Sequence, residues 1–264
     1  MSFKGKSVIV TGSSSGIGQE CALLFGEEGA YVTVHGQSLE GINETIELLK
    51  EAGVKETHYQ YVQGPIQDEK VQDELFDKTV EKFAKVDVLV NNAGLCQGPG
   101  LEQESMENFD YVMNVNLRSV ISMTRKAVDH LEITHGNIVN ISSIAAEMCF
   151  PPSQHYCASK AALSNYTKNS ALQYAHKFIR VNAVSPGSIY TKFRLRHSDN
   201  KQEIDYMYEN RHEWIPMRRT GTVREVANVV AFLASDKASY VTGSNYAVDG
   251  GALAGKPFEP VYVS

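Results

Sequence analysis

The sequence predicts an α/β fold, a single doubly wound parallel sheet of about seven strands with helices on both faces. Three observations predict it. Short runs rich in Val, Ile and Leu alternate with longer stretches of helical periodicity. A turn rich in Gly and Ser, Thr11-Gly12-Ser13-Ser14-Ser15-Gly16-Ile17-Gly18, joins the first run to the first such stretch. No linker, repeat or low-complexity segment divides the 264 residues, so 1–264 reads as one domain.

Each element follows in order. Ser7–Thr11 reads as a buried strand, and Ile17, Cys21, Leu24 and Phe25 mark one face of the helix after it. Tyr31–His35 is the second strand. Leu39–Ala52 is a helix stopped by Gly53. Thr57–Val62 is the third strand, and Asp68–Phe83 a helix with Asp at its cap. Val86–Asn91 is the fourth strand. One long helical region then covers about Ser105–Thr134. Asn137–Ser142 and Ile179–Ser185 are the fifth and sixth strands, with a helix over His155–His176 between them. Val223–Ala234 is a helix and Ser244–Val248 the seventh strand. Strands separated by helices pair in parallel through right-handed crossovers. Residues 188–219 break the alternation and mix aromatics with charges, which predicts a lid or binding loop.

Composition narrows the function. Hydrophobic residues make up 42% and charged ones 21%, enough for a sizeable core. With 25 Lys and Arg against 31 Asp and Glu, the formal charge is −6, which speaks against a nucleic-acid partner. The one basic cluster, Met217-Arg218-Arg219, reads as a solvated turn. Cys21, Cys96, Cys149 and Cys157 match no zinc spacing, so no metal is expected and free thiols in a reducing compartment are. The N-terminal residues lack the apolar stretch of a signal peptide, and no run is long enough to span a bilayer. A cytoplasmic protein with no membrane role is expected. The N-x-S/T triplets at Asn43, Asn140 and Asn165 read as chance matches.

The Gly/Ser turn is the first chemical signal. Glycines at Gly12, Gly16 and Gly18 permit a tight turn and a close approach to an anion. The helix behind it aims N–H groups at a pyrophosphate. Ser13, Ser15 and Ile17 belong to the same loop. The second strand ends His35-Gly36-Gln37-Ser38, without the carboxylate that pairs with the ribose hydroxyls of NAD and without an Arg for a 2′-phosphate. Gly36 leaves room, Gln37, Ser38 and Ser13 could donate hydrogen bonds, and His35 could add charge or simply pack. The reading favours NADP(H) over NAD(H).

Tyr156 and Lys160 are four apart and share one face of a helix. A free tyrosine has a pKa of about 10, and a neighbouring ammonium lowers it. Tyr156 therefore suits a general acid for carbonyl reduction and a general base for alcohol oxidation.

Together with Asn91-Asn92-Ala93-Gly94 after the fourth strand, Ser142-Ser143 after the fifth, Pro186-Gly187 after the sixth and Val248-Asp249-Gly250-Gly251 near the end, these motifs resemble the short-chain dehydrogenase/reductase family. The resemblance runs from about Ser7 to Gly251. It implies Ser143, rather than its neighbour Ser142, as the serine that holds the substrate oxygen. It implies Asn116 as an asparagine holding a water behind Lys160, the alternative being a side chain that bends a helix. It further implies that Lys160 grips the nicotinamide ribose. Asn92 and Gly94, with Ala93 between them, would flank the adenosine ribose. Ile189 and Thr191, after Pro186 and Gly187, would touch the nicotinamide amide. A homo-oligomer, tetramer or dimer, is implied as well.

One departure stands out. Many relatives carry Asp after Gly on the third strand, where this chain has Gly64-Pro65-Ile66, so adenine recognition is expected to differ. The leading function is a carbonyl reductase or secondary-alcohol dehydrogenase. A 3-oxoacyl thioester reductase is the runner-up, and a non-catalytic dinucleotide sensor the alternative of another class. Leu95–Leu101, Ile144–His155 and Ser188–Trp214 are expected to wall a small apolar substrate with Met148, Phe150, Tyr190, Phe193, Met207 and Trp214.

Overall fold

A computed structural model describes residues 3–191, 193 and 213–256. Seven parallel strands form one sheet in the order β3-β2-β1-β4-β5-β6-β7. They are β1 (Ser7–Val10), β2 (Tyr31–Gly36), β3 (Tyr59–Gln63), β4 (Val88–Asn91), β5 (Asn137–Ile141), β6 (Arg180–Pro186) and β7 (Asn245–Val248). Among the described residues the α-helices are α1 (Gly16–Glu27), α2 (Leu39–Glu51), α3 (Glu69–Phe83), α4 (Met106–Met113), α5 (Ser119–Thr134), α6 (Gln154–Tyr174) and α7 (Val223–Ala234).

Strand alternation sorts the core into two layers. Val8 and Val10 of β1 join Phe25, Ile42 and Val230 on the face covered by α1, α2 and α7. Ile9, between them, joins Leu75, Leu89, Met123 and Ile138 on the face covered by α3 and α5. Val139 and Ile138 of β5 divide in the same way. Each fully buried side chain of this kind contributes roughly 1.5–3 kcal/mol by leaving water.

The predicted elements form, with three differences. The expected third strand begins late, because Glu56–His58 is a 3-10 turn. Residues Val86 and Asp87 precede β4, where Asp87 is buried and takes the Ser7 N–H and ion pairs from Lys6 and Lys85. The single long helix over 105–134 is two, joined by a π-helical turn at Asn114–Arg118. Periodicity cannot show that turn, since it inserts one residue into an otherwise unbroken helical pattern. The lid expected over 188–219 falls mainly on 194–212, outside the described residues.

β1 pairs with β2 on one side and β4 on the other. The chain order reverses between them, which opens a crevice beyond the carboxyl ends of the strands. Across the sheet, Asn91 Nδ2 donates to Asn140 Oδ1 at 2.9 Å, and Asn140 Nδ2 to Thr167 Oγ1 at 2.9 Å. This buried ladder ties α6 to β4 and β5, and it accounts for the Asn140 triplet as a structural feature. Arg219 pairs through both nitrogens with Glu225, so the basic cluster has a local partner.

Candidate active site

A cleft of about 980 Å³ lies at the crevice, a size at the upper end for small-molecule sites. Its floor is built from the turns that leave β1, β2, β4, β5 and β6.

The β1 turn depends on its glycines. Gly12 and Gly16 have φ of +64° and +62°, where a side chain is strained. A Cβ on Gly12 would meet Ala93 Cα at 2.8 Å. A Cβ on Gly18 would lie 2.3 Å from Asn92 Nδ2, because that amide donates to the carbonyls of Thr11 and Gly12, both at 2.9 Å. Asn92 lines the cleft, but its side-chain donors are committed to these carbonyls.

Ser15, Gly16 and Ile17 line the cleft, and so do Gly12, Ala93 and Gly94. Ser13 and Gly18 do not. Ser13 was expected to donate into the site; its hydroxyl instead donates to Val10 O at 2.7 Å and is buried under the loop. The sequence reading missed Ser14. Gly36 brings Ser14 into the cleft wall, since a Cβ there would sit 2.5 Å from Ser14 Oγ. Gly36 and Gln37 line the same end, and Gln63 Nε2 donates to Gln37 O.

His35 adds no charge. Its ring is buried, and burial pushes its pKa down to about 4. Pro65 is exposed, while Ile66 lines the cleft.

At the other end stands α6. Tyr156 and Lys160 both face the cleft, with Lys160 Nζ 5.7 Å from the centre of the Tyr156 ring. Lys160 Nζ donates to Ile141 O at 2.7 Å. The lysine is buried, and burial lowers its pKa to about 8, with the nearby Cys96 thiol pulling weakly the other way. Gly94 gives the ammonium room, since a Cβ there would be 3.4 Å from Nζ. Phe193 packs beside the Tyr156 ring at 6.1 Å between centres.

The two serines divide their roles. Ser143 lines the cleft and accepts the Ala145 N–H at 3.1 Å. Ser142 lines it too, but is buried, with its hydroxyl bonded to Ser164 at 2.8 Å and donating to the Lys160 carbonyl at 3.2 Å.

Asn116 is fully buried in the π turn and does not reach the cleft wall. Its Oδ1 accepts Leu95 N–H at 2.9 Å, and its Nδ2 donates to Leu95 O at 2.8 Å and to Ser159 Oγ at 3.0 Å. Ser159, which the sequence reading missed, passes this link to the carbonyl of Tyr156 at 2.7 Å. The Asn116 side chain thus braces the Tyr156 turn.

Pro186, Gly187, Ile189 and Thr191 complete the wall. Gly187 is backed by Asp249, to whose Cα a Cβ would come within 2.7 Å. The Asp249 carboxylate in turn accepts from the N–H groups of Gly251 and Leu253. This explains the terminal Val-Asp-Gly-Gly motif as a buttress. Of the expected substrate residues, Phe150, Phe193 and Trp214 line the cleft, Met148 and Tyr190 do not, and Met207 lies outside the described residues. Among the described lining residues Lys160 alone carries a charge.

These features fit a dinucleotide. The loop has backbone close to the cleft, and α1 starts there with no acidic residue in its first turn to repel phosphate.

The family model described as enoyl-(acyl carrier protein) reductase matches residues 12–252. A 3-oxoacyl-(acyl-carrier-protein) reductase FabG of Thermotoga maritima is 38% identical over 255 residues, 96% of this chain and all of that protein. A 3beta-hydroxysteroid dehydrogenase 1 of Eggerthella lenta is 38% identical over 252 residues, 94% of each chain. A crystal structure of a protein of unknown function from Caenorhabditis elegans, solved with its cofactor, superposes with a TM-score of 0.91 at 36% identity, covering 96% of this chain and 97% of the other.

Proposed function

The chain belongs to the short-chain dehydrogenase/reductase family of oxidoreductases acting on CH–OH and C=O groups, and we propose that Tyr156 gives or takes the substrate proton in that reaction. The observation that carries this is the Lys160 ammonium 5.7 Å from the Tyr156 ring centre, inside a cleft where no other described residue carries charge. A nicotinamide cofactor supplies or accepts the hydride when bound. Lys160 favours the tyrosinate and keeps N–H groups for a ribose hydroxyl. Ser143, accepting from Ala145, has its own O–H to offer the substrate oxygen, where it stabilises developing negative charge. Asn116 and Ser159 hold the turn that carries Tyr156.

The cofactor is held by Ser15, Gly16 and Ile17 at the pyrophosphate, with Gly12 lining the cleft beside them, and by Pro186, Gly187, Ile189 and Thr191 at the nicotinamide. NADP(H) is preferred over NAD(H), because no carboxylate lines the end of β2, and Ser14, Gln37 and Ser38 offer donors to a 2′-phosphate. The substrate is a small uncharged carbonyl compound or secondary alcohol, seated among Phe150, Phe193 and Trp214. Cysteines outside any disulfide suit a reducing cytoplasm. A homo-oligomer is the working state.

A second reading, 3-oxoacyl thioester reduction, draws on the relative from Thermotoga maritima. Following cofactor absorbance with NADPH or NADH against simple ketones, secondary alcohols and 3-oxoacyl thioesters separates the readings. Turnover of ketones with NADPH favoured supports the first, and turnover of thioesters alone supports the second. Normal cofactor binding without turnover of any of them overturns both in favour of a sensor.

A further inference from the structure

We propose that His35 is a positioning residue that sets the adenosine end of the cleft through a neutral imidazole of fixed tautomer. This rests on the reading that the cleft takes a nicotinamide dinucleotide. The ring lies near the end of β2, buried, between the turns that follow its neighbours β1 and β3. Gly12 N–H donates to His35 Nδ1 at 3.1 Å. On the other side Nε2 lies 3.1 Å from Gly64 O, and a carbonyl can only accept. Nδ1 must therefore offer a lone pair and Nε2 must carry the proton. An imidazolium would set an N–H against the Gly12 N–H, so only the neutral ring fits both contacts.

The backbone of His35 extends the same grip. Its N–H donates to Ser13 Oγ at 2.9 Å, and its carbonyl accepts Ser13 N–H at 2.7 Å. Gly12 and Ser13 thus spend their N–H groups on His35. The anion contacts of the loop are left to the start of α1. The ring also fixes how far the β1 turn stands from Gly64, the residue that leads to Ile66 in the cleft wall. Pro65 offers neither a carboxylate nor an N–H at this end. Preorganisation of the two turns is then what makes the space complementary to the adenosine half.

The test is a set of cofactor dissociation constants from NADPH and NADH fluorescence, with kcat at saturating cofactor for whichever substrate is turned over. His35→Leu keeps most of the volume and loses both contacts. It is expected to weaken cofactor binding at least ten-fold while kcat at saturation stays within about three-fold. His35→Gln, whose amide can accept and donate, is expected to recover most of the affinity. Leucine and glutamine variants that bind as tightly as the parent overturn the proposal, and so does a leucine variant no weaker than the glutamine one. If His35→Leu does not fold, nitrogen-15 NMR of the parent decides: a single neutral Nε2–H tautomer at pH 7 upholds the proposal, and an Nδ1–H or protonated ring sinks it. A parent that binds neither cofactor removes the underlying reading instead.

Discussion

Lys160 and Tyr156 meet on one face of α6, the ammonium 5.7 Å from the ring centre and anchored to the carbonyl of Ile141. The anchor matters because it comes from β5, so the sheet and not the helix alone sets where the charge sits. Four predictions follow from the site and its supports.

Tyr156→Phe removes the phenol and keeps the ring beside Phe193. Turnover should fall by about 10²–10⁴, the usual worth of a placed general acid. Cofactor affinity by fluorescence titration should stay within about two-fold. Retained turnover would remove Tyr156 from the mechanism.

Lys160 is held charged at a cost. Its pKa drops from 10.5 to about 8 because burial disfavours the ammonium. The folded state therefore binds fewer protons than the unfolded one between these values, and the parent gains stability as pH rises from about 8 to 10.5. Below pH 8 the burial penalty is fully present, on the order of 3 kcal/mol before the bond to Ile141 is counted. Lys160→Met should then be inactive yet more stable at pH 7, by about 1–2 kcal/mol in urea unfolding, with the gain shrinking towards pH 10. A variant less stable at pH 7 would contradict the sign.

The serine pair gives a crossed outcome. Ser143→Ala should cut kcat by about 10²–10³ with little change in melting temperature, because its hydroxyl faces the cleft. Ser142→Ala should do the reverse, costing about 1 kcal/mol by removing its bonds to the Ser164 hydroxyl and the Lys160 carbonyl. Equal losses of activity would show that the two are not distinct.

Asn140→Ala breaks the ladder from Asn91 to Thr167 and leaves the buried Asn91 amide without its acceptor, while Thr167 keeps its bond to Leu163 O. A cost of about 2–3 kcal/mol is expected in denaturant unfolding. A glycan at this site is excluded by its burial, and an unchanged mass after secretion from a eukaryotic host would check that.

Much of this was legible in the residues. Strand runs, glycine spacing and the Tyr156–Lys160 interval are local patterns, and local patterns survive folding. The family motif points to Ser143 over Ser142, and of the two it is the Ser142 hydroxyl that is bonded to α6. What the sequence could not show were partners brought together from afar. Nothing in the second strand says that His35 will meet Gly12 and Gly64, nor that Asn92 will spend its amide on the loop. Ser14 and Ser159 carried no signal of their own, although Gly36 beside one and Lys160 beside the other could have drawn attention to them. The break at Asn114–Arg118 was hidden because the apolar stripe resumes directly after it.

That break has a consequence for the chain's evolution by insertion and deletion. A π turn amounts to one residue more than an α-helix needs. Removing a single residue from 114–118 would let α4 run straight into α5 as one regular α-helix, with the face that α5 turns to the sheet preserved. Met123, Ala127 and Leu131 would keep their place against the sheet, while Asn116 would lose Leu95 and Ser159 together. The extra residue is thus one that the packing of α5 does without and the brace at Asn116 does not.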